Sequence, residues 1–134
     1  MGRVVRTIGG IVIEFISWFA IGTIGFIAAA VAWPEFGAAN RTFNATQVVL
    51  FDQPMMITRL AHAAVASIIA AWIAGLAVRD NRMTPVLGGL VLLALFIPNH
   101  IMLWDKFPIW YHLTFLTSLP VLAFIGGRLA PASE

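Results

Sequence analysis

The chain contains no cysteine, and this absence excludes both disulfide bonds and metal sites built from thiolates. Charge is also scarce, because charged side chains make up 10% of the 134 residues while hydrophobic ones make up 60%. A mean hydropathy of +0.92 leaves too little polar surface to cover a water-soluble globule of this size. No established catalytic or cofactor motif stands in the sequence either, so a non-enzymatic role is favoured.

Long apolar stretches make up most of the chain. Four of them cover residues 8–32, 55–78, 85–104 and 108–127. Each has about the twenty residues with which an α-helix, rising about 1.5 Å per residue, crosses a hydrocarbon layer of roughly 30 Å. The sequence therefore predicts an all-α integral membrane protein, in which four transmembrane helices form an antiparallel bundle and residues 1–134 make one domain.

The cations predict which ends of the spans face the cytoplasm. Only Arg41 and Lys106 lie in the loops after the first and third spans, whereas the opposite side carries Arg3, Arg6, Arg79, Arg82 and Arg128. The positive-inside rule then places both termini in the cytoplasm and the 33–53 loop outside. A cleaved signal peptide is the alternative for the first span, although that span is longer than a typical signal core.

The same charge distribution bears on partners and location. The net charge is only +2, and the cations are scattered at span ends and do not form a patch, so nucleic acid is excluded as a partner. The lipid bilayer is the expected surrounding, and a compact chain with a cytoplasmic amino terminus fits a bacterial inner membrane.

Small residues recur every four positions in the second span. They form a smooth strip of Ala63, Ala66, Ser67, Ala70, Ala71, Ala74 and Gly75. Such a strip lets another helix approach closely, so we expect the second span to sit in the middle of the bundle. Strips of this kind also favour assembly into a homo-oligomer or a larger membrane complex.

All three histidines lie inside the predicted spans, where ionisable side chains are costly and are candidates for function. Counting about 1.5 Å per residue, His62 lies roughly 12 Å below the outer surface, and His100 and His112 lie roughly 6 Å below it. Arg59 precedes His62 by three residues and shares its helix face. We expect the three imidazoles to point into the bundle, with Arg59 lining the same cavity.

Several ligands would suit this set of side chains. Three imidazoles with the carboxylate of Asp105 would hold zinc, copper, nickel or iron. Two facing histidines would instead hold haem b, with Arg59 near a propionate. The spacing is not diagnostic, because neutral histidines also hydrogen-bond between helices, snorkel toward headgroups or relay protons.

The densest polar and aromatic segment covers residues 99–112 and adds Asn99 and Tyr111 to the histidines. Its turn is only a few residues long, so the third and fourth spans are expected to be neighbours and to bring His100 near His112. We expect this segment to recognise a ligand. The alternative is an aromatic belt around a tight turn.

Glu14 is the other charge inside a span, about four residues from its cytoplasmic end. A reach to the interface, or pairing with a cytoplasmic arginine, would make it structural. Residues 8–14, Ile-Gly-Gly-Ile-Val-Ile-Glu, resemble the first helix of the small multidrug resistance transporters, four-span dimers that exchange cationic drugs for protons at a membrane glutamate. The resemblance covers that helix alone and implies that Glu14 binds a proton or an ion.

Three functions follow from these features. The first is an accessory or structural subunit, or a module that binds a partner or a lipid through a polar pocket near the external face. The second is an oligomeric transporter of small solutes or ions that uses Glu14 or the histidines. The third is a metal-binding or haem-binding protein that uses His62, His100 and His112.

Overall fold

A computed structural model describes residues 2–79 and 82–132, and its regular elements in those ranges are all helical. The helices are α1 (Gly2–Ala32), α2 (Pro34–Thr46), α3 (Gln53–Ala77), α4 (Met83–Met102) and α5 (Ile109–Leu129), with a single 3-10 turn at Trp104–Lys106. Four of them, α1, α3, α4 and α5, are long and apolar enough to cross a membrane. Each predicted span therefore lies on one of these helices, although α1 begins at Gly2, earlier than predicted.

Local side-chain chemistry explains where several helices begin. Oδ1 of Asp52 accepts a hydrogen bond from the backbone N–H of Met55 at 2.9 Å and so caps α3. Helix α5 begins directly after Pro108, which lacks the N–H that a helix start would leave unpaired. Because α4 already begins at Met83, the Thr84 hydroxyl is buried in the first turn without a hydrogen-bond partner in the described ranges.

The segment predicted as an external loop contains the helix α2. Its apolar side chains recur at the three-residue and four-residue spacing of a buried helix face. They pack against the ends of α3 and α5 in one aromatic cluster formed by Phe36, Ala39, Phe43, Phe51, Met55, Phe107 and Tyr111. Helix α2 therefore covers one end of the long helices, which we call the α2 end.

Helix α3 contacts all three of the other long helices. Every member of its predicted small-residue strip is buried, so the position of this helix inside the bundle is confirmed. Part of the strip belongs to a second apolar cluster, which is formed by Trp18, Ala63, Ala66, Ala70, Leu92, Phe115 and Leu119. Small side chains on α3 thus leave room for large ones from its neighbours.

Glycines allow α5 to approach two helices closely. A Cβ on Gly126 would collide with the carbonyl oxygen of Ile68 in α3 and would lie 2.9 Å from Cβ of Ala71. A Cβ on Gly89 in α4 would lie 2.9 Å from the carbonyl oxygen of Leu119 in α5. Backbone atoms, which cannot move aside like side chains, are therefore in contact across both helix pairs.

Candidate functional site

A cavity of about 500 Å³ lies at the α2 end, with lining residues from all five α-helices. Six of the predicted site residues line it, namely Arg59, His62, Asn99, His100, Tyr111 and His112. The other two lie elsewhere. Asp105 is exposed in the 3-10 turn, and Glu14 is buried between α1 and α4. The structure thus brings the histidines and Arg59 around one space and separates both carboxylates from it.

The polarity of the cavity wall changes along its length. Aromatic and small apolar side chains line the deep end, where the indole N–H of Trp18 is already used in a 2.9 Å hydrogen bond to Ser67. Polar side chains from α2 line the opposite end, namely Asn40, Arg41 and Asn44. The cavity therefore offers an apolar end and a hydrogen-bonding end to a single ligand.

Exposed residues among the lining locate the mouth of the cavity. Phe19 and Ile27 of α1 are 41% and 61% exposed. Arg41 of α2 and Asn99 of α4 are also exposed and line the same space. Helices α1, α2 and α4 therefore border the opening.

Arg59 has its guanidinium inside the aromatic cluster. Nε donates a hydrogen bond to the hydroxyl of Tyr111 at 3.1 Å, and Nη1 donates to Oδ1 of Asn40. The guanidinium carbon also lies 4.5, 5.4 and 5.5 Å from the ring centroids of Phe51, Phe26 and Phe43. Aromatic faces at these distances attract the cation. Arg59 is thus held by neutral partners and by π-systems.

His62 is directed at two backbone carbonyl groups. Nδ1 lies 2.9 Å from the oxygen of Thr58, and Nε2 lies 2.9 Å from the oxygen of Gly25 in α1. A Cβ on Gly25 would lie 2.6 Å from the imidazole, so the glycine is what lets α1 come this close. Both ring nitrogens of His62 therefore face backbone carbonyl oxygens, and the side chain ties α1 to α3.

His100 and His112 form a direct pair, with their Nδ1 atoms 2.7 Å apart. Nε2 of His112 lies 3.1 Å from the carbonyl oxygen of Trp104, which only accepts, so this nitrogen carries a hydrogen and donates it. Nδ1 of a neutral His112 then accepts, and Nδ1 of His100 donates. The backbone carbonyl therefore sets the tautomers of both rings and leaves the lone pair of His100 on Nε2.

The predicted metal and haem sites at His62, His100 and His112 are not assembled in this arrangement. Within residues 2–79 and 82–132, no group of three or more histidine, aspartate or glutamate side chains is placed to hold a metal ion. Two Zn–N bonds of about 2.0 to 2.1 Å at a tetrahedral ion separate their nitrogens by about 3.3 Å, more than the spacing of the histidine pair. Axial ligands on opposite faces of a haem iron stand farther apart still.

Glu14 is buried against α4, with only 1% of its surface exposed. Neither carboxylate oxygen has a hydrogen-bond partner among the residues that the structure describes. A Cβ on Gly88 would collide with Oε2, so α4 accommodates the carboxyl group only because a glycine stands there. The expectation that Glu14 reaches the interface or pairs with an arginine is therefore not met. Its side chain turns toward the close α1–α4 contact.

Replacing Glu14 with methionine is expected to raise the free energy of unfolding by about 1 to 3 kcal/mol, because an apolar side chain of similar length has no polar atoms to leave unpaired. Chemical denaturation of the purified protein in detergent micelles measures the change. Glu35→Met is the matched control, since Glu35 is exposed in the first turn of α2, and its effect should stay within about 0.5 kcal/mol. Destabilisation by Glu14→Met would mean that the carboxyl group has a partner in the assembled protein.

The contribution of α2 to the cavity is the part that sequence analysis missed. Asn40 orients Arg59, and its own Nδ2 donates to the carbonyl oxygen of Phe36 at 2.8 Å, so the amide is fixed from both sides. The available signal was the helical spacing of Phe36, Ala39 and Phe43 within the external segment.

Comparison with protein-family models, curated proteins and solved structures found no match to this chain. These comparisons add nothing to the resemblance of residues 8–14 to a transporter helix. The geometry of the cavity is the basis for any functional assignment.

Proposed function

We propose that this protein is a multi-pass membrane protein that binds one elongated amphiphilic molecule in the cavity at the α2 end. The observation that supports this function is the change in polarity along the cavity. Its deep end is lined by apolar side chains around Trp18 and Ala66, whereas its α2 end adds the polar groups of Asn40, Arg41 and Arg59 to aromatic rings. Its volume of about 500 Å³ lies within the range of known ligand pockets.

The proposed orientation puts the α2 end at the external face. Five arginines on the opposite side against Arg41 and Lys106 on this side favour cytoplasmic termini under the positive-inside rule. The four long helices then form an antiparallel bundle, and the polar end of the cavity reaches the external headgroup region. A bacterial inner membrane remains the proposed location.

The position of the mouth supports entry from the bilayer. Phe19 and Ile27 line the cavity and are exposed on α1, where acyl chains would surround them. Arg41 and Asn44 are exposed on α2, where water and headgroups would meet them. In an amphiphile already in the outer leaflet, the apolar chain would therefore lie level with Phe19 and Ile27, and the polar head group would lie level with Arg41 and Asn44.

Transport through Glu14 and a metal-dependent function have less support in this geometry, and transport through the histidines stays a prediction. Transport through Glu14 would require its carboxyl group to exchange with the cavity, and Glu14 is 1% exposed and outside the lining. A metal-dependent function would require ligand nitrogens that His62 and His112 use in hydrogen bonds. Assembly with further copies or with partner subunits stays a prediction.

Replacing Gly22 with phenylalanine is expected to reduce binding of a fluorescent amphiphile at least tenfold, because the ring would occupy the cavity. Gly22 lines the cavity and has open space where a Cβ would stand. The uncharged probe 11-(dansylamino)undecanamide, titrated into the protein in detergent micelles and followed by dansyl emission, measures the dissociation constant. A tenfold loss corresponds to about 1.4 kcal/mol.

Gly9→Phe is the matched control for this test. Gly9 also lies in α1 with nothing near its missing Cβ, but it is not among the cavity lining. The control should bind the probe like the parent, and both variants should keep the parent's thermal midpoint. Parent binding that never saturates, or equal binding by Gly22→Phe, would contradict the proposed function.

A further inference from the structure

Arg59 keeps hydrogen-bonding capacity that the protein itself does not use. A guanidinium has five N–H groups, and Arg59 donates one to Tyr111 and one to Asn40. Three remain without a hydrogen bond among the described residues. Both acceptors are neutral, so neither compensates the positive charge.

The cavity also lacks an opposite charge. Two arginines, Arg41 and Arg59, stand among its described lining residues, and no aspartate or glutamate does. The three phenylalanine rings around Arg59 attract the cation but carry no net charge. A guanidinium in a membrane-spanning helix is costly without a partner, so the cavity favours a ligand that brings a negative charge.

The donors near Arg59 define the chemistry of that charge. The Tyr111 hydroxyl accepts from Arg59, which leaves its own hydrogen available to donate. The free N–H groups of Arg59 are likewise donors only. A group that meets these donors needs several acceptor lone pairs and no hydrogens of its own, which describes a carboxylate or a phosphate.

We infer that the amphiphile carries an acidic head group, a carboxylate or a phosphate monoester, bound by Arg59 and Tyr111 with its single chain along the aromatic wall toward Trp18. This inference rests on the proposed function and names the chemical class of the bound ligand. The planar fork of the guanidinium suits two parallel hydrogen bonds to such an oxyanion. Asn40, held in turn by the backbone of α2, fixes the direction of the fork.

The test compares two probes that differ only in the head group, 11-(dansylamino)undecanoic acid and its uncharged amide. The parent should bind the acid about tenfold or more tightly than the amide, as a charge-assisted hydrogen bond predicts. Arg59→Gln should bind both equally. Arg59→Lys, which keeps the charge but not the fork, should retain part of the preference.

Arg128→Gln is the matched control. The Arg128 guanidinium also stacks on a phenylalanine ring, 4.5 Å from the centroid of Phe124, but lies outside the cavity lining. This variant should keep the full preference for the acid. If the preference disappears with Arg128→Gln and survives in Arg59→Gln, the assignment to Arg59 is overturned.

The outcomes separate this inference from the proposed function. Equal binding of acid and amide by the parent overturns the acidic head group and leaves the cavity as a binding site. Binding of neither probe removes both proposals. If Arg59→Gln does not fold, the ratio of the two probes on the parent still decides.

Competition by unlabelled amphiphiles identifies the source of the acid. Dodecanoate represents free fatty acids, dodecyl phosphate represents phosphate-bearing lipids, and dodecanol has the same chain without charge. Displacement of the acid probe by either anion at concentrations at least tenfold below dodecanol supports the inference. Equal displacement by dodecanol overturns it.

Discussion

Replacing Gly126 with valine is expected to cost about 3 kcal/mol of folding free energy, the upper part of the range for overpacking a buried contact. The new Cβ would collide with the carbonyl oxygen of Ile68, and Cβ of Ala71 lies 2.9 Å from the same position. Because the first of these is a backbone atom, relief requires α5 to move away from α3. Denaturant titration in micelles, followed by tryptophan emission, measures the loss.

Gly9→Val controls for the general effect of a β-branched residue in a helix. Nothing lies near the missing Cβ of Gly9, so this change should alter the free energy of unfolding by less than about 1 kcal/mol. Equal effects of the two valines would mean that α3 and α5 do not touch through their backbones. That result would contradict the packing described for Gly126.

Replacing His112 with phenylalanine is expected to destabilise the protein by about 3 kcal/mol, although the ring shape is preserved. The residue is fully buried and stacks on Trp104 with the ring centroids 4.7 Å apart. Phenylalanine would keep the stack but leave the Trp104 carbonyl and the His100 Nδ1–H without partners. The Nδ1–H of His100 is buried, and a buried group that loses its hydrogen bond costs about 1 to 3 kcal/mol. The carbonyl of Trp104 belongs to an exposed residue and adds the smaller cost of one lost hydrogen bond.

A double-mutant cycle isolates the histidine pair. The double variant His100→Phe/His112→Phe removes both members, so the unpaired Nδ1–H of His100 disappears with its partner. The double variant should therefore be destabilised by less than the sum of the two single variants, by at least about 0.5 kcal/mol. Strict additivity would show that the two imidazoles do not interact.

The spans and the central position of α3 were predictable because they depend on local patterns. The length of each apolar run predicts a helix that is long enough to cross a bilayer. The four-residue spacing of Ala63, Ser67 and Ala71 sets which side of α3 is buried. Neither argument requires knowledge of what lies across the helix interface.

The cavity was only partly predictable because its contacts are distant in sequence. Depth counting put His62, His100 and His112 in the outer half of three different spans, and the structure places them around one cavity. Which atoms their nitrogens meet depends on the carbonyls of Gly25 and Trp104, and no side-chain pattern encodes the position of a backbone oxygen.

The burial of Glu14 against α4 and the helix α2 were missed for different reasons. The buried position of Glu14 depends on Gly88, which lies on another helix and signals nothing about a carboxyl group in sequence. Helix α2 is short and polar on one side, so its own sequence pattern is a weak prediction of a stable helix. Its apolar face is buried because Phe51 and Phe107, which lie outside α2, pack against it.

The positions of Arg59 and its partners in the sequence determine the order in which they leave the ribosome. The three rings around its guanidinium belong to Phe26, Phe43 and Phe51, and all three precede Arg59 in the sequence, as does Asn40. Tyr111 follows 52 residues later. During synthesis from the amino terminus, the ribosome therefore releases most of the cation's partners before the cation itself. Phe26, Phe43, Phe51 and Asn40 can therefore contact the guanidinium before the final helix, which carries Tyr111, exists.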